Sequence, residues 1–228
     1  MDAVEIDQHI KCKSKEVLMA FYQSLERPPS FRFATAQLCR AISSVSGFDI
    51  VPVVVPDMEE LRGMLMTFTE RSGFDRFVED HPLVREQTPQ DLKFDKGVGL
   101  VLLSDANNPC WQRFTVIKEA SHLYWESDNL LKSTDIGHLA KAVVDWKVSD
   151  DSDKSLALDP DNVELFVRDH FGILAALELL LPESSLRSWM EHEVNVKRLT
   201  TYQLAYTLKL PQRFVSIRME QWGIEPVN

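Results

Sequence analysis

The fold turns on one stretch, Gln112-Arg-Phe-Thr-Val-Ile-Lys-Glu-Ala-Ser-His-Leu-Tyr-Trp125. Its apolar residues recur at helical spacing, and it reads as an α-helix. On a helical wheel Val116, Ile117, Ala120, Leu123 and Tyr124 form one apolar stripe. Lys118 and His122, one turn apart, lie roughly opposite, with Glu119 between the two faces. The Lys118/His122 face therefore looks into a cleft or into solvent.

Inside this helix Lys118-Glu119-Ala120-Ser121-His122 is one residue short of H-E-x-x-H. In the intact motif two His at i and i+4 share a helix face and hold Zn²⁺, and the Glu acts as general base on the metal-bound water. A lone K-E-x-x-H is most often a solvated helix face, so the surrounding chain has to decide its meaning.

Upstream, Gly97-Val-Gly-Leu-Val-Leu-Leu-Ser104 predicts a buried strand ended by Asp105-Ala-Asn-Asn-Pro109. Before it, Phe48-Asp-Ile-Val-Pro-Val-Val-Val55 is a β-branched run whose Pro52 points to a sheet edge or a short strand. Residues 64–68 suit a further strand, although Glu59-Glu-Leu-Arg62 beside them suits a turn of helix equally. Helices are expected over residues 14–25, ended by Arg27-Pro28-Pro29, and over residues 33–45, burying Ala36, Leu38, Cys39, Ile42 and Val45. Residues 72–96 are polar, carry proline and give no clear assignment.

Downstream, residues 147–161 are rich in Asp and Ser and suggest a loop. Residues 162–181 form a strong helical pattern stopped by Pro182, and residues 183–194 continue as another helix. Residues 199–208 and 211–222 make a closing helical pair. Strands early and helices late indicate an α+β fold. In the long helix Leu165, Phe166, Ile173, Ala176, Leu177 and Leu180 form a stripe with Asp169 at its centre. A carboxylate there needs a cation, a metal or several donors. Glu178 falls on the opposite, solvated side, and His170 at the stripe's edge reads as a packed or surface histidine.

With 228 residues the chain is long enough to bury a substantial core. A formal charge of −10 argues against bulk binding to nucleic acid or an anionic membrane, while leaving room for a local basic patch. Cys12, Cys39 and Cys110 are odd in number and widely spaced, which suits free thiols in a reducing cytoplasm. There is no apolar core of signal-peptide length, and the longest apolar stretch, residues 171–181, is too short to span a bilayer. A cytoplasmic protein without a membrane partner is expected.

Three ordered segments carry a resemblance. Arg113-Phe-Thr-Val-Ile-Lys-Glu-Ala-Ser-His-Leu123 resembles the R-F-T-L-A-H-E-L-G-H-L segment of the ImmA/IrrE-type metallopeptidases. Asp169-His-Phe-Gly-Ile-Leu-Ala-Ala-Leu-Glu-Leu-Leu-Leu-Pro182 is similar to that family's E-x-x-A-N-x-F-A-A-E-L-L-M-P. Leu204-Ala-Tyr-Thr-Leu-Lys-Leu-Pro-Gln-Arg-Phe-Val-Ser-Ile-Arg-Met-Glu-Gln-Trp-Gly223 resembles its closing L-A-x-x-F-x-V-S-x-x-A-V-x-x-R-L-x-x-L-G. Together they cover residues 95–223, and residues 33–56 fit its helix-then-strand opening more loosely.

The resemblance implies a zincin-like α+β domain with a small sheet and an active-site-type helix over residues 1–194. A helix-turn-helix-like subdomain over residues 195–228 would pack on it. By position His122 matches the second zinc-ligand His, Glu119 the general base and Asp169 the third-ligand Glu. Lys118 stands in place of the first His, and Ser121 in place of a Gly. An ammonium has three donors and no lone pair, so it does not ligate zinc. The expectation is a degenerate, inactive member without a cofactor, in which Lys118 fills the metal's place and pairs with Asp169 and Glu119. Such a protein would act as a regulatory module binding a protein partner, of the repressor, phage or mobile-element, or toxin–antitoxin kind that the family implies.

Two alternatives remain open. One is an active zinc endopeptidase using another ligand such as His170, or a water. The other is a DNA-binding regulator using the closing helices, where Lys197, Arg198, Lys209, Arg213 and Arg218 make the chain locally basic.

Overall fold

The computed structural model describes residues 3–24, 34–56, 62–126 and 163–227. The loop expected over residues 147–161 lies outside them, as do Arg27-Pro28-Pro29 and most of the ambiguous stretch before Gly63. Described elements are α1 (Ala3–Gln23), α2 (Thr35–Ser46), β1 (Phe48–Val55), β2 (Gly63–Phe68), α3 (Arg71–Asp80), α4 (Pro82–Gln87), β3 (Gly97–Ser104) and α5 (Pro109–Trp125). They continue with α6 (Val163–Leu180), α7 (Glu183–Asn195), α8 (Thr201–Leu208) and α9 (Gln212–Gln221). The fold is thus α+β, predominantly helical, with a three-stranded mixed sheet.

Two compact units divide the chain, one of Glu16–Tyr124 and one of Met1–Lys15 with Trp125–Asn228. In the first, the strand order is β1-β3-β2, with β1 parallel and β2 antiparallel to β3. Placing β3 in the centre follows from its composition, since Gly97–Ser104 is buried almost throughout and carries no charge. Pro52 sits in β1 at the sheet edge, where a missing N–H costs no ladder bond.

On one face of the sheet Val51, Val53, Val98 and Leu100 pack with Phe74 of α3 and Val84 of α4. Residues 72–96, unassigned in sequence, therefore cover a sheet face. Their apolar residues are interleaved with charges because only one side of each short helix is buried. α5 crosses the other face. Gly63 and Gly99 make room for it: a Cβ on Gly63 would overlap Cγ2 of Thr115, and one on Gly99 would lie 2.6 Å from Cδ1 of Leu123.

In the second unit α6 supplies the most apolar surface, with Phe166, Val167, Phe171, Ala176, Leu177 and Leu180 buried. Leu165, expected in that stripe, is 63% exposed. α1 starts at Ala3, well before the expected residue 14, because Ile6 and Ile10 extend its buried stripe at helical spacing and both are fully buried. In α2, Ala36 is exposed and Val45 half-buried, and Ala41 and Ser46 are buried instead. The closing pair begins with a capping box at Thr200 and Gln203 and turns at Lys209, whose backbone is left-handed (φ 55°, ψ 49°). Among the described residues no helix is long and apolar enough to cross a membrane.

Candidate functional site

α5 is sunk in protein: within residues 114–125 every residue except Lys118 is buried, and Lys118 is half-buried. Glu119 is 7% and His122 9% exposed. The face that the wheel left open to cleft or solvent is thus withdrawn from solvent. Ionisable groups so placed must be compensated. Lys118 Nζ lies 2.9 Å from Glu119 Oε1, an ion pair with only 16% and 9% of the two side chains exposed. Adjacent helical positions diverge by about 100°, so the flexible lysine stem bends back to reach its neighbour. Ser121, fully buried, donates its hydroxyl to the Lys118 carbonyl at 2.6 Å, which satisfies a polar group removed from water.

Asp169 is half-buried on α6, in the other unit. Before it in the chain, Arg168 forks onto Glu126, with Nε 3.0 Å from Oε1 and Nη2 2.5 Å from Oε2. After it, His170 is 2% exposed with its ring edge against Phe171. Burial pushes the His170 pKa down to about 4, against a smaller opposing effect of the Asp169 charge, so its imidazole is neutral. His170 is a packed histidine.

Lys118 offers a cation already bound to Glu119 and no lone pair for a metal. Among the described residues no group of three or more His, Cys, Asp or Glu is placed to hold a metal ion. Lys118 in particular cannot serve as a zinc ligand.

The two sheet edges differ. On β1 the outward backbone is guarded: the Gln87 amide donates to the Val54 carbonyl at 3.0 Å and accepts from its N–H at 3.0 Å, and Pro52 has no donor. On β2 the bond from Ser104 N to Arg62 O fixes the alternation, so Gly63, Leu65 and Thr67 direct their N–H and C=O groups away from β3. No described residue bonds to those groups.

In the closing pair Phe214 and Ile217 of α9 are buried, together with Val215, Arg218 and Met219. The exposed stripe of α9 is Gln212, Ser216 and Glu220, which carries no cation. A recognition helix in a DNA major groove needs an accessible N-terminal face; in the first turn of α9 Arg213 is half-buried, and it is the only cation of the helix besides the buried Arg218. Sequence reasoning also missed the partner of Glu178: it lies 2.6 Å from Nη2 of the buried Arg218 and is not a solvated carboxylate. Nothing in the spacing of residues 40 apart signals such a pair. Also missed were Tyr202 and Tyr206, which stand off the buried Leu204, Ala205 and Leu208 stripe of α8 and are 65% and 64% exposed.

No known protein-family model matches the chain, and no curated protein shows significant similarity to it.

Proposed function

We propose that this chain is a degenerate metallopeptidase-fold protein of the ImmA/IrrE type that binds a protein partner instead of cleaving it. The observation that carries the reading is the Lys118–Glu119 ion pair on a buried helix. The residue that would act as base holds a lysine ammonium where a zinc-ligating His would stand. A base so engaged is not aimed at a metal-bound water.

Binding is supported by the outward edge of β2, whose alternate N–H and C=O groups pair with no described residue and could take an extended segment. The partners that fit the resemblance are regulatory proteins of repressor, phage or toxin–antitoxin type. A proteolysis assay with an unstructured protein such as casein, in added zinc, tests the inactivity. No fragments above background are expected. Chelator-sensitive fragments that disappear in Glu119→Gln would overturn the proposal.

A further inference from the structure

We propose that the face of α8 bearing Tyr202 and Tyr206 binds single-stranded nucleic acid by base stacking. The site is separate from the Lys118–Glu119 helix and from the β2 edge. The two rings stand one helical turn apart on the same face and are each nearly two-thirds exposed. Large aromatic rings held in water at that spacing are a stacking platform, because every base offers a π-face whatever its identity.

The second observation is charge. Residues 194–219 contain Lys197, Arg198, Lys209, Arg213 and Arg218 and no Asp or Glu, in a chain whose formal charge is −10. Lys197 is paired with Glu193 at 2.8 Å and Arg218 with Glu178 at 2.6 Å, and Arg213 is engaged within the fold as well. Arg198 is exposed. Lys209 places its ammonium 3.6 Å from the centroid of the Tyr206 ring. That contact steadies the ring on one side and puts a cation beside the path of a backbone whose bases stack on the other. Gln203, whose Oε1 caps the helix with Thr200, and Thr207, whose hydroxyl donates to the Gln203 carbonyl at 2.8 Å, hold α8 in place beneath the two rings. Single strands are favoured over duplex because stacking needs unpaired bases.

Fluorescence anisotropy with the full chain and labelled dT20, rU20 and a duplex of equal length tests this. Binding to a single strand at low salt is expected, with a log–log salt slope of about −1.4 for two phosphate contacts. The two single strands distinguish DNA from RNA as the source. Tyr206→Ala and Tyr202→Ala should each weaken binding about tenfold, whereas Tyr206→Phe and Tyr202→Phe should retain it. Circular dichroism of the variants checks folding, and both side chains are exposed enough to leave it intact. Three outcomes would overturn the proposal: no binding to either strand, equal or tighter binding to duplex, or single-strand binding that both alanine variants keep. Displacement by poly-glutamate as effective as by oligonucleotide would likewise reduce the patch to an ion exchanger.

Discussion

Arg218 places its guanidinium among Glu178, Gln221 and the Trp222 ring, with Nη2 2.6 Å from Glu178 and Nη1 2.8 Å from Gln221. A charge removed from water to that extent is held by its partners alone. Arg218→Ala should therefore lower stability by about 3–5 kcal/mol in urea unfolding. Replacing both Arg218 and Glu178 with Met should cost less than either single change, because no buried charge is then left alone. His170 gives a pH dependence of definite sign. Its folded pKa is about 4 against an ordinary 6.5, so between those values the unfolded chain binds the extra proton. Stability should fall as pH drops from about 6.5 towards 4, by about 3 kcal/mol in total. Chemical denaturation across that range should show the slope, and His170→Leu should flatten it.

At the level of elements, the seating of α5 on the sheet depends on Gly63 and Gly99. Gly63→Ala drives a methyl into Thr115 and against the Leu102 carbonyl, and should destabilise by about 1–3 kcal/mol. Thr115→Ala in the same molecule should restore part of that loss, which thermal unfolding of the single and double variants measures. The strands were legible because β-branched and unbroken apolar runs carry their own signal: Phe48–Val55 and Gly97–Ser104 coincide with the observed β1 and β3. The four C-terminal helices were legible from period, proline stops and caps. By contrast, α3 and α4 hid among charges, since Phe74 and Val84 find their apolar partners on strands distant in the chain. The extension of α1 to Ala3 was missed because Glu, Lys and His fill the turns between Ile6 and Ile10 and their neighbours. Within the candidate site, the spacing of Lys118, Glu119 and His122 was visible, but their burial was not. A wheel ranks faces by hydropathy, and tertiary structure decides which polar face is also covered.

At the scale of the whole molecule, one unit holds a small mixed sheet with a buried helix crossing it, and the other is mainly helical. One edge of that sheet is closed by Gln87 and Pro52, and on the other no described residue pairs with the outward groups of β2. The proposed function rests on the Lys118–Glu119 ion pair, with Lys118 where a zinc ligand would stand. Metal analysis after equilibration with zinc and exhaustive dialysis, on the wild-type chain and on Lys118→His, tests that claim most directly. No retained zinc is predicted for the wild-type chain, and retained zinc is predicted for Lys118→His, whose helix would again read His-Glu-x-x-His. Near-stoichiometric zinc in the wild-type chain, lost on changing His122 or Asp169 to Ala, would contradict it.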